Sequence, residues 1–296
     1  MSKRTLRLGT ALSLVSLLAL ALAGCGDSVT MSDPSEVGDE ETIRQLTEED
    51  GFFELPVYDQ EELELPEGES GGRGEISPLT FWREITDIVT EREVVIDHEA
   101  GTADVTVTRD VWGSLVVVDW DMVEYEKPMH HSGVRYAHYE RDLDWVPPMG
   151  PPDSPGSQGR RPWVLTAVSG VLAQSDTLTV SISSIHIQSA TVDTLITDPL
   201  ALMAVPDAIM TFEVGEEVAV TVTATPSDAL LFLNTPRYRT AFTPDGQGVY
   251  TGTWTVRSRG HHVACVQAIA RASIFDSDYP DDTEIWGIPY DVLAAE

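Results

Sequence analysis

The chain has 296 residues, with 18 Lys and Arg against 49 Asp and Glu, a formal net charge of −31. A hydrophobic share of 42% excludes wholesale disorder, and strong acidity without a basic patch excludes a nucleic-acid binder and electrostatic docking on anionic lipid. Two cysteines exclude a disulfide scaffold, and the length allows one large domain or two ordinary ones.

Lys3, Arg4 and Arg7 precede an apolar stretch from Leu8 to Ala23, which reads as a secretory signal too short to make a good membrane-spanning helix. The stretch ends on Leu22, Ala23, Gly24 and Cys25, a run that resembles the lipobox of bacterial lipoproteins. The resemblance implies a lipoprotein signal peptide over residues 1–24, cleavage before Cys25, and lipid attachment on the Cys25 thiol and the new amino terminus. The small residues suit a peptidase that must draw extended backbone close to its catalytic groups. Each buried methylene of an acyl chain contributes about 0.8 kcal/mol, so several chains anchor stably. Gly26, rather than an acid, succeeds the cysteine. By the family's sorting rule, that directs the chain to the outer membrane of the bacterial cell envelope.

Residues 25–75 read as an acidic tether. From residue 26 onward it carries 17 acidic residues against Arg44 and Arg73. Within it, Asp39 to Asp50 has the pattern of a short helix, with Asp39 as N-cap and Ile43 and Leu46 on one side. Phe52, Phe53, Leu55, Val57 and Tyr58 are too apolar for a solvated linker and are expected to dock on the domain that begins near residue 76.

Residues 76–197 read as an α+β domain, a helix packed on a curved antiparallel sheet. Ser77 and Pro78 make a helix start, and Phe81, Trp82, Ile85, Ile88 and Val89 come after at helical spacing, which predicts a helix over Pro78–Thr90. The period then becomes two: Ala103, Val105 and Val107 alternate with Asp104, Thr106 and Thr108. Leu115 to Val118, Val134 to Tyr139 and Trp163 to Val168 are further strands. Leu178, Val180 and Ile182 have the opposite parity to Ile185 and Ile187, which a bulge at Ser183 and Ser184 would reconcile. The leading helix, the strands near Asp104–Thr108 and Arg135–Glu140, and the late strand Trp163–Ser169 together resemble the NTF2-like (cystatin-like) fold. That resemblance implies a curved sheet wrapping the helix around a cone-shaped pocket. The chain departs from the family in its first helices, which would have to come from the acidic segment, and in the long Pro/Gly loop from Val146 to Pro162. An all-β sandwich with a decorative helix is the competing reading. Trp112, Trp120, Trp145, Trp163, Tyr125, Tyr136 and Tyr139 would either line such a pocket, for a small apolar ligand, or fill a core.

Residues 198–206 read as a connector, and 207–296 as an all-β unit. Strands are expected at Ile209–Val214, Val218–Ala224, Leu230–Leu233, Tyr238–Phe242, Tyr250–Val256, Val263–Ile269 and Ile285–Val292, with turns at Gly215 and Glu216 and at Pro244 to Gly248. The run from Gly248 to Val256, then Gly260 and Val263 to Ala268, resembles the late strands of bacterial immunoglobulin-like domains. Such a β-sandwich implies structure or binding rather than catalysis.

The candidates for chemistry are few. His130, His131 and His138, with Glu140 or Asp142, have metal-ligand chemistry, but adjacent strand residues point to opposite faces, so His130 and His131 cannot share an ion if extended. His261 and His262 meet the same objection. Asp276, Asp278, Asp281 and Asp282 crowd one loop and could supply oxygens to calcium, although their spacing is not that of an EF-hand. Cys265 sits among Val263, Ala264 and Val266 without a flanking cation and reads as a small hydrophobe. Ser169 and Gly170 come after a strand without a nucleophile-elbow pattern. The expectation is therefore a non-enzymatic binding or structural lipoprotein with no cofactor and no metal. Its partners would be the membrane, through Cys25, and an envelope protein. The alternatives are an NTF2-like pocket that binds a small apolar ligand or catalyses a reaction, and a calcium-assisted adhesion module.

Overall fold

The stretch that begins at Pro78 is a strand, not a helix. The computed structural model, which describes residues 34–54, 63–64, 76–142, 162–236 and 238–293, is 63% strand and 9% helical, with largely antiparallel sheets. Residues 78–90 belong to β2 (Pro78–Asp97), which comes after the two-residue β1 (Leu63–Glu64). Their apolar residues do fall at helical spacing, but six of the thirteen side chains are β-branched, and these fit a pleated surface better than a helix. Ile88 and Val89, expected on the buried stripe, are 48% and 41% exposed, while Arg83 points inward and is 6% exposed. The helical element that does lie on a sheet is α1 (Pro34–Glu49), from the acidic segment, succeeded by a 3-10 turn over Gly51–Phe53.

β2 pairs along its length with β3 (Thr102–Asp119), and β3 with β4 (Glu124–Arg141). These strands of 20, 18 and 18 residues form a ribbon about 60 Å long at the usual rise per residue. The separate short strands expected near 103–107 and 115–118 are one strand. A bulge at Thr86 shifts the β2–β3 register between Ile85 and Asp87. Gly113 sits opposite, where a Cβ would stand 2.0 Å from the Glu84 carbonyl oxygen.

The sheet continues beyond the ribbon. β4 pairs with β5 (Trp163–Val168) and β6 (Val171–Ser175). β6 pairs with the last strand, β17 (Thr283–Leu293), and β17 with β16 (Gly260–Ile269). β16 then pairs with β12 (Leu230–Thr235), and β12 with β13 (Tyr238–Ala241). β10 (Met210–Glu213) joins β17 in parallel, and β9 (Met203–Ala204) joins β5. A second sheet contains β14 (Thr243–Pro244), β15 (Val249–Thr255), β11 (Glu217–Thr225), β7 (Ser181–Gln188) and β8 (Asp193–Ile196), in that order. Sheet pairing thus crosses residues 198–206, since β7 and β11 lie on either side of that stretch. Between β11 and β7 the register shifts so that Thr223 faces Ser184 and Ala224 faces Ile182, which leaves Ser183 as the bulge the parity required. The turn at Gly215, where φ is +94°, carries the chain from β10 in one sheet to β11 in the other, rather than closing a hairpin.

Two layers of core explain the burial. The largest apolar cluster lies between the second sheet (Ile185, Val220, Tyr250, Trp254) and one face of the first (Leu231, Val266, Trp286, Ile288). The other face of β16 and β12 is covered by the first sheet coiling back on itself. Phe81 of the ribbon meets Phe232 edge-on at 5.4 Å, with Leu115, Val117, Ile269, Ile274 and Phe275 around them. The middle strands β16 and β17 are therefore buried on both faces, hence their near-continuous apolar runs. At the ribbon's far end a third cluster seats Ile43, Phe52 and Phe53 against Val105, Ala137, Tyr139 and Trp163.

Candidate functional site

Strand parity decides which side chains of β4 enter the space between the ribbon and β16–β17. The buried residues are the odd-numbered ones: Lys127, Met129, His131, Gly133, Arg135, Ala137 and Tyr139. Three of them are cations or a cation precursor, and Arg83 of β2 joins them. Opposite lies the segment from α2 (Arg271–Phe275) to the start of β17, which supplies carbonyls and carboxylates.

Lys127 Nζ donates to the carbonyl oxygens of Ser273 and, at 2.5 Å, Asp276. Burial lowers its pKa to about 8, against the pull of Asp276, Asp281 and Asp278. His131 Nε2 stands 2.5 Å from Asp281 Oδ2 with both side chains buried. Burial holds His131 below its ordinary value despite Asp281, so the neutral ring donates Nε2–H to the carboxylate. Burial alone would raise Asp281, but His131, Arg83 and the Thr283 hydroxyl at 2.8 Å together hold it below the usual range. Arg83 donates to Gln267 Oε1 at 3.0 Å. Asp282 accepts from Thr179 N and Tyr279 OH, and Glu284 from Ile182 N and Gln174 Nε2. This polar seam clips the ribbon to the loop before β17 and the loop to the second sheet.

The loop acids Asp281 and Asp282 thus face protein donors, and Asp276 Oδ1 accepts from the Asp278 amide. Among the described residues no three His, Cys, Asp or Glu side chains converge on one point that could hold a metal ion. His130 points outward, stacked on Trp112 at 5.0 Å and bonded to Asp176 at 2.8 Å, while His131 points inward. His138 shares the outer face eight residues along and meets Asp104 at 2.6 Å. His261 stacks on Phe52 at 4.0 Å and bonds Asp50, and His262 turns to the carbonyls of Ser258 and Arg259. Ser169 is fully buried and donates to the Gly170 carbonyl, and Cys265 is fully buried in β16.

The aromatic residues do not gather around one cone. Tyr139 meets Thr47 of α1, and Trp163 donates Nε1–H to Asp39, which also pairs with Arg141. Trp120 and Tyr136 are 60% and 38% exposed on the ribbon, and Tyr125 bonds Asp119 at its end. Cys25, Leu55, Val57, Tyr58, Trp145 and residues 146–161 lie outside the described residues.

Cavities also lie among the described residues. One, about 240 Å³, opens between the 194–199 stretch and β17, lined by Leu195, Ile196, Pro199, Met203, Gly287 and Ile288. Another, about 20 Å³, lies where β3, β4 and β6 meet the 3-10 turn, between Phe53, Arg109, Arg135, Val171 and Ala173. Arg135 is 3% exposed, its guanidinium 5.3 Å from the Phe53 ring centre. Its Nε donates to the Gly170 carbonyl at 3.4 Å, but Nη1 and Nη2 have no hydrogen-bond partner among the described residues. Burial lowers its pKa to about 9. Sequence reading missed Arg83, Lys127 and Arg135; strand parity relative to His131 is the signal that could have found Lys127 and Arg135 on β4, while Arg83 lies on β2, where the spacing predicts a helix. No family model, curated protein or solved structure matches this chain.

Proposed function

We propose that this chain is a lipid-anchored lipoprotein of the bacterial cell envelope, sorted to the outer membrane, with a non-enzymatic binding or structural role. The run Leu22-Ala23-Gly24-Cys25 carries the reading, with the basic and apolar residues before it. The use of buried acids and bases as clips between layers supports the non-enzymatic part, since His131, Asp281 and Lys127 spend their polar atoms on one another and on backbone. No helix among the described residues is long and apolar enough to cross a membrane. The facing sheets from β6 to β17 suit an immunoglobulin-like sandwich, a fold that commonly serves display and binding. The Cys25→Ala variant tests the anchor: membrane fractions should lose the protein and its amino-terminal acyl mass. Retention of both in the variant refutes the reading. Pull-down from envelopes with the anchor intact then reads the partner.

A second reading, a binder of a small apolar ligand, rests on the cleft beside Leu195, whose volume suits a small ligand fragment. Fluorescence titration with an apolar dye, repeated on Ala201→Trp to fill the cleft, separates the two readings. Saturable binding lost in the variant favours the ligand, and unchanged dye response removes it.

A further inference from the structure

A buried guanidinium that leaves two of its nitrogens without acceptors is costly. Burying an unpaired charge costs several kcal/mol, and buried donors in folded proteins almost always find a partner. Arg135 is such a group, and its two nitrogens without a partner among the described residues belong to the fork that binds anions best. The carboxylate nearest in effect, Asp50, is occupied by the Phe52 amide and His261. The small cavity beside Arg135 also borders Arg109, half-buried, which brings a second cation to the same wall. Arg109 is held in place through Thr90 and the Phe53 carbonyl.

We propose that the cavity between Arg135, Arg109 and Phe53 binds one small, weakly hydrated monovalent anion, of the class of chloride, bromide or nitrate. Three features select this class. The volume, about 20 Å³, exceeds what one water needs but leaves no room for a phosphate ester or a nucleotide. Two guanidinium groups supply charge that a water molecule cannot neutralise. The remaining wall is apolar, formed by Val107, Val134, Val171 and Ala173, and offers no donors to replace the hydration shell of sulfate or phosphate. The anion would stitch β3 and β4 to the 3-10 turn, and so hold the amino-terminal segment on the ribbon. This site does not depend on the lipoprotein reading.

The test uses the full chain at constant ionic strength, with sodium fluoride exchanged stepwise for chloride, bromide or nitrate. Weakly hydrated anions generally lower melting temperatures relative to fluoride, so a specific site shows as a rise that grows with the logarithm of concentration above the dissociation constant. The expected result is that rise in the wild type and its loss in Arg135→Met, whose side chain fills similar space without charge. Chloride-35 line broadening reads binding directly, and bromide should reverse it. Should Arg135→Met fail to fold, Arg109→Gln serves in its place and should weaken chloride about tenfold, the effect of one charge-assisted hydrogen bond. Equal melting responses in wild type and variant, or chloride broadening untouched by either substitution, overturn the proposal and assign the cavity to water.

Discussion

His131 and Asp281 show how one contact can set both stability and its pH dependence. Removing the ring alone strands a buried carboxylate, so His131→Leu should destabilise the chain by about 3–5 kcal/mol in urea unfolding. Replacing both, His131→Leu with Asp281→Leu, should recover part of that loss, because the two apolar groups need no partners while Arg83 and the Thr283 hydroxyl lose Asp281. His131 is held neutral by burial, so its contribution is present above pH 6.5 and is lost as pH falls below that value. His261 behaves oppositely. Its hydrogen bond to Asp50 raises it above 6.5, so its contribution is present below 6.5 and is lost as pH rises through the raised value. Melting curves across pH should therefore show a loss on the alkaline side of 6.5 that His261→Gln abolishes, while the acid-side loss persists. At this scale the sequence was partly legible. The opposite orientations of His130 and His131 follow from strand geometry alone, but Asp281 lies 150 residues from its partner, and no local pattern announces it. Lys127 and Arg135 were hidden because Val134 and Tyr136, the apolar residues around Arg135, mark the outer face of β4 rather than the inner one.

Among the elements, α1 and the 3-10 turn changed most between sequence and structure. The acidic stretch read as a tether holds a docked segment that touches both parts of the fold: Ile43, Asp39 and Thr47 on the ribbon, Phe52 and Asp50 on β16 through His261. Gly51 makes the second contact feasible, since a Cβ there would lie 2.2 Å from the His261 carbonyl oxygen. Gly51→Ala should lift the turn from β16 and speed tryptic cleavage after Arg44, with little change in the larger core. Phe52→Ala should cost about 3–5 kcal/mol, as for other fully buried aromatic residues, read by chemical denaturation. The expectation that Phe52 and Phe53 dock was legible in their apolarity. The strand over 78–90 was not legible, because a ribbon strand with one half-covered face obeys neither period cleanly. Its exposed Ile88 and Val89 complete a helical stripe only by accident of spacing.

Over the whole molecule, the strands of the later half were legible because β16 and β17 read as continuous apolar runs and the others alternate. The coiling of the first sheet was not, since it depends on pairings between residues near 130, near 172 and near 286. Charge has the same two-level character: 17 of the acids lie in residues 26–75, and among the rest Asp119, Asp281, Asp282 and Glu284 are buried hydrogen-bond acceptors. The position of β17 bears on how the chain is made. The last strand is also among the most central, flanked by β16, β6 and β10, and its leading loop holds the seam to β4. A chain that emerges amino-terminus first, from a ribosome or through a membrane pore, therefore leaves its widest sheet with a gap until residues 283–293 arrive. Premature termination before Thr283 would split that sheet in two and leave β6 and β16 each with an open edge.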